Sequence, residues 1–144
     1  MQQRLKNRLG LLGWLGGGRY GVDRYAYTLH RISGLGILAY FIMHIFVTGK
    51  RVGGPEQWES TMAAFGSPMF KVGEFLVVLA FAFHAINGIR LILVELGWLI
   101  GKPGVPSFPY GYSTLRHKPV FIIFMVVAAA LMIIGGWDFY FVMK

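Results

Sequence analysis

Three long apolar runs divide the chain. No Asp, Glu, Lys or Arg falls between positions 32 and 49, between 75 and 89, or between 119 and 137. Extended to their polar flanks, the runs cover 25–48, 70–100 and 119–141. Each is close to the ~20 residues that a helix needs to cross a bilayer. Backbone groups in lipid must be satisfied within their own segment, which favours helices over open strands. The pattern therefore predicts an all-α integral membrane protein with three transmembrane helices, a membrane domain over 25–141 behind a leading segment, 1–24.

The intervening stretches read differently. "GKPGVPSFPYGYSTLRHK" is rich in Pro and Gly and predicts a loop. "MQQRLKNRLGLLGWLGGG" begins with basic residues, yet its apolar part is short and broken by glycine, and no small-residue cleavage pattern follows. An amphipathic segment lying at the interface, leucines down and arginines up, accounts for it better. No internal repeat is evident.

Charge sets the orientation. Arg4, Lys6, Arg8, Arg19, Arg24 and Arg31 precede or open the first span against a single acid, Asp23. Lys50 and Arg51 after that span are offset by Glu56 and Glu59, the second loop carries Lys102, Arg116 and Lys118, and the tail has Asp138 and Lys144. The positive-inside rule then places the N-terminus in the cytoplasm and the C-terminus outside. Trp58, Trp98 and Trp137 lie near span ends, where interfacial anchors belong.

Composition narrows the chemistry. With 56% hydrophobic and 14% charged residues, a chain of 144 residues has more apolar surface than a soluble core of that size hides. The net charge of +8 does not form a continuous tract, so it marks membrane orientation rather than a nucleic-acid surface. There is no cysteine, which excludes disulfides, thiolate metal sites and iron–sulfur ligation from this chain. A redox centre here has to be held by His or Met.

Two clusters carry the candidate chemistry. In "FAFHAINGIRLILVELG", His84 lies near the middle of the second span and Gly88 follows one turn later on the same face. An imidazole projecting to iron beside a residue without a side chain suits a flat macrocycle. Arg90, ~9 Å from His84 along the axis, suits a propionate or a lipid headgroup. The alternative is a histidine bonded to another helix, with Gly88 serving helix packing. In "YTLHRISGLG", Thr28, His30, Arg31 and Ser33 bring donors and a cation to the membrane entrance, beside Gly34 and Gly36. A quinone needs such a place, with polar groups for its carbonyls and an apolar groove for its tail. The alternative is that Arg31 snorkels and Ser33 bonds to its own backbone. His30 has Gly34 one turn on, so the pattern leaves it open as a ligand. His44, in "YFIMHIFVTG", is a further candidate ligand near the outer end of the first span, without a companion glycine on its own helix.

Taken together, "HRISG" opening the first span and "HAINGIR" in the second resemble the cytochrome b large anchor subunit of succinate dehydrogenase (respiratory complex II) and the related fumarate reductases. That resemblance covers most of the chain from Tyr25 onward, though only the two motifs are specific. It implies that His84 is an axial ligand of a b-type haem, the second histidine coming from a partner subunit. It further implies that Arg31 lines a quinone pocket and that His30 and Arg90 lie near haem propionates. Some relatives carry two haems across the bilayer, which would make His44 a ligand of the second. Departures exist. Leu91 stands where many members have a histidine, Glu95 is the nearest acid where an aspartate often ends the motif, and Tyr27 replaces a small hydroxyl residue. The last of these shifts the expected quinone contact to Thr28 or Ser33, with Tyr27 kept among the quinone candidates.

The expected function is that of a haem b-binding membrane anchor that helps to pass electrons between an iron–sulfur subunit and quinone. The expected setting is a bacterial-type plasma membrane rather than the mitochondrial inner membrane. The expected partners are a flavoprotein, an iron–sulfur protein, a second anchor subunit and membrane lipid. This chain has no dinucleotide fingerprint, so the dicarboxylate chemistry belongs elsewhere. The competing readings are a haem-free structural anchor and a small transporter subunit.

Overall fold

A computed structural model describes residues 22–99 and 118–142. The expected interfacial segment, apart from its last residues, and the Pro- and Gly-rich loop lie outside them. The described chain runs as α1 (Val22–Gly49), a 3-10 turn (Lys50–Gly53), α2 (Pro55–Phe65), α3 (Pro68–Glu95) and α4 (Lys118–Val142). No strand occurs among the described residues.

Three of these helices, α1, α3 and α4, are long and apolar enough to cross a membrane. At 28 residues each, α1 and α3 would extend roughly 42 Å, more than the thickness of a hydrocarbon core. Their ends are set by local chemistry. Pro68 stands at the first turn of α3, where its missing N–H costs nothing. At the other end Gly97 adopts φ 78°, the left-handed conformation that stops a helix. Gly97 N–H then donates to Val94 O (3.0 Å) and Trp98 N–H to Leu93 O (3.2 Å), the paired bonds of a Schellman close. The second span therefore ends at Glu95, five residues short of the expected 100.

α3 is the central element. It packs against α1 on one side and α4 on the other, antiparallel to both, as the contacts His84–Gly34, His30–Gly88, Val78–Gly135 and Phe75–Gly136 require. A Cβ at Gly135 would lie 3.3 Å from Val78 Cγ1, so the missing side chain lets α4 approach closely. Phe75 and Phe139 close this end at 5.3 Å between ring centroids. Outward faces carry bare apolar side chains, such as Leu35 at 68%, Phe46 at 72% and Ile133 at 71% exposure. In water that would be untenable, whereas lipid or partner helices cover it at no cost.

α2 is an element that the apolar runs do not announce. Trp58, Met62 and Phe65 repeat at helical spacing on its inner face, while Glu56 and Glu59 are exposed. Gly54 (φ 94°) and Pro55 start it, and Arg51 lies 5.5 Å over the Trp58 ring. It is amphipathic, and it shelters the mouth between α1 and α3.

Candidate functional site: an interlocked histidine pair

The centre of the site is the crossing of α1 and α3. Each helix contributes the same local device, a histidine followed one turn later by glycine: His30 with Gly34, and His84 with Gly88. Antiparallel packing makes the device reciprocal. The His84 ring lies on the backbone of Gly34, where an added Cβ would sit 2.7 Å from Cε1. The His30 ring reaches Gly88, where an added Cβ would sit 3.4 Å from its Cε1. The two imidazoles stack between them, 3.9 Å apart and 7° from parallel.

Hydrogen bonds fix one ring more tightly than the other. His84 Nδ1 is 3.0 Å from the His30 carbonyl oxygen. A carbonyl only accepts, so this nitrogen must carry the hydrogen. Ser33 Oγ donates to the same carbonyl (3.0 Å) and lies 3.2 Å from Nδ1, where its oxygen shares the N–H. In neutral His84 the free lone pair is then on Nε2. Metal-binding histidines are commonly oriented by this bond from the second nitrogen to a carbonyl.

Next to the pair is a buried polar group. Arg90 is 7% exposed, its Nε donates to Asn87 Oδ1 at 3.0 Å, and its guanidinium lies 5.1 Å over the Phe121 ring of α4. Asn87 has no exposed surface, and its Nδ2 has no partner. His30 Nδ1 is a second buried nitrogen without one.

The donor set is compatible with an iron porphyrin. With Nδ1 of His84 bonded to the His30 carbonyl, Nε2 is the nitrogen that would meet an iron, and the His30 stack uses the ring face rather than the in-plane lone pair. Asn87 and Arg90 are buried donors of the kind a carboxylate requires. Among the described residues there is no group of three or more His, Cys, Asp or Glu that could hold a bare metal ion.

The expected quinone residues separate into two groups. Arg31 and Tyr27 are exposed on α1, with the guanidinium 5.6 Å over the phenol ring. Thr28 is 5% exposed, and its hydroxyl is buried without a partner. Ser33 is already engaged with His30 and His84. The structure thus joins His30, Ser33, Gly34, His84 and Gly88 into one cluster, with Asn87 and Arg90 beside it. Asn87 escaped sequence reasoning, although an amide in a run free of charge was a visible signal.

His44 lies apart from this cluster. With Tyr40, whose ring centroid is 5.7 Å away, it lines a cavity of about 460 Å³ between the ends of α1 and α3. Trp58, Met62 and Phe65 of α2 line it as well, and Gly73 and Glu74 come from α3. Gly73, on the facing helix, thus lines the same cavity as His44. Glu74 pairs with Lys71 at 3.4 Å, with both side chains partly exposed.

Comparison with known proteins agrees with this architecture. Residues 14–135 match the family described as succinate dehydrogenase/fumarate reductase transmembrane subunit. The chain belongs to that family. It is 28% identical over 114 residues to the succinate dehydrogenase 2 membrane subunit SdhC of Mycobacterium tuberculosis, covering 79% of each chain. It is 28% identical over 79 residues to the succinate dehydrogenase hydrophobic membrane anchor subunit of Halobacterium salinarum, covering 54% of this chain and 61% of that one. The corresponding anchor subunit of Archaeoglobus fulgidus is 29% identical over 86 residues, covering 60% of this chain and 74% of that one. The protein is thus a multi-pass membrane anchor subunit of a succinate dehydrogenase-type complex, associated with that complex's other subunits.

Proposed function

We propose that this anchor is a cytochrome b subunit, with His84 Nε2 as an axial ligand of a b-type haem. The observation that carries the reading is the bond from His84 Nδ1 to the His30 carbonyl, which leaves Nε2 as the free donor. When bound, the haem supplies a one-electron store in an apolar setting. This chain's residues do the rest. His30 and Ser33 orient the His84 ring, Gly34 and Gly88 give the two rings room, and Arg90 with His30 would hold the haem carboxylates. A histidine of a partner anchor subunit would complete the hold on the iron.

Arg31 and Tyr27 form the quinone contact on this reading. Their exposure suits a pocket completed by the iron–sulfur partner and the second anchor, with the flavoprotein bound beyond them. Arg31 polarises a quinone carbonyl, and the Tyr27 hydroxyl stands beside it to move a proton. The basic leading segment faces the cytoplasm of a cell with a bacterial-type plasma membrane. A second haem at His44 is supported by the cavity that this side chain shares with Gly73.

The competing reading is a haem-free anchor. It is favoured by the stacking of the His84 ring on His30 and its seat on Gly34, contacts that helix packing alone would also use. A reduced-minus-oxidised spectrum of the purified complex separates the two. A b-type band supports the cytochrome, and its absence leaves the structural anchor. Haem stoichiometry per complex decides His44, with two haems supporting its role and one excluding it.

A further inference from the structure

Asn87 is on α3, roughly one turn from both His84 and Arg90, and has 0% exposure. Arg90 Nε can only donate, so the atom 3.0 Å from it must be the amide oxygen. That contact fixes the rotation of the amide. Nδ2 is thereby turned away from Arg90, and it is buried without an acceptor. On the facing helix, His30 Nδ1 is also buried and unpartnered, and its ring reaches Gly88, the residue next to Asn87.

An apolar side chain would fill this position without a desolvation cost, so packing alone does not call for an amide. Holding Arg90 does not call for one either, because a carboxylate holds a guanidinium more strongly. What the amide adds is a donor on its second arm. A buried donor is normally met by an acceptor, from the protein or from a bound group.

We propose that Asn87 is a positioning and binding residue of this site. Its oxygen aims Arg90, while its Nδ2 donates to an oxygen acceptor that enters the α1–α3 packing from outside this chain. The acceptor is a carboxylate oxygen of the haem or an ordered water. In its carboxylate form the proposal rests on the haem reading above.

The test uses the intact complex with wild-type chain, Asn87→Ala and Asn87→Asp. Alanine removes both arms. Aspartate keeps the acceptor for Arg90 but replaces the donor by a second negative oxygen. The haem midpoint potential should fall in the order wild type, Ala, Asp, and the Asp variant should release haem about tenfold faster than wild type. Redox-difference infrared spectra distinguish the two acceptors. A shift of a band from carboxylate-labelled haem in the variants assigns the propionate, and loss of a band sensitive to H2 18O assigns a water. Variants with the wild-type potential and unshifted bands overturn the proposal while leaving the cytochrome intact. A wild-type complex without a b-type band overturns the haem reading and, with it, the propionate acceptor, and the H2 18O-sensitive band then decides the water acceptor alone. Should the Asp variant fail to assemble, the Ala variant alone decides by the same readouts.

Discussion

The His84 imidazole rests on the bare backbone of Gly34, so closely that a methyl group there would lie 2.7 Å from Cε1. Glycine at this position serves the facing helix rather than its own. An alanine would push the ring off the His30 carbonyl, since the ring is the movable partner in that contact.

Gly34→Ala should therefore leave membrane insertion unchanged and disturb the ligand, at an overpacking cost of about 1–3 kcal/mol. Gly88→Ala should be milder, because the contact there is 3.4 Å, and to His30 rather than to His84, the proposed ligand. Haem content and the low-spin signal of the two complexes check this order. Equal losses would show that the asymmetry between the contacts carries no weight.

Ser33→Ala removes a shared acceptor but leaves the His30 carbonyl in place. The expected cost is about 1 kcal/mol, with haem retained. Thermal denaturation with the visible spectrum as probe measures it. Complete loss of haem would make the hydroxyl, not the carbonyl, the orienting group.

Arg31→Ala should separate the two halves of the proposed function. The guanidinium is exposed and lies over Tyr27, away from the His84 bond. Quinone reduction should fall about tenfold or more while the haem spectrum stays as in the wild type. Steady-state rates with quinone and with a soluble dye compare the two directly. An equal fall in both assays would move Arg31 to docking of the soluble subunits.

Gly97→Ala addresses the fold alone. At φ 78° a Cβ is strained, so the Schellman close of α3 should lose about 1 kcal/mol without a change in spectrum. Thermal unfolding of the detergent-solubilised complex reads this. An unchanged midpoint would mean that the helix end is held by its neighbours instead.

The three spans were legible because a run of apolar residues long enough for a bilayer leaves few other folds. α2 was not, since Glu56 and Glu59 hide its apolar face in a short segment that reads as loop. The motif around His84 was legible through the spacing to Gly88. That Gly34 serves His84, and Gly88 serves His30, was not, because the pairing depends on the antiparallel register of two helices. Local sequence carries no record of that register. The cavity at His44 escaped for the same reason, since residues of α2 and α3 line it as well.

Low-temperature electron paramagnetic resonance of the purified complex, wild type against His84→Ala, tests the central claim most directly. The wild type should give a low-spin signal from a haem with two imidazole ligands, and the variant should lose that signal while its partner subunits remain bound. An identical low-spin signal in both would show that His84 is not the ligand.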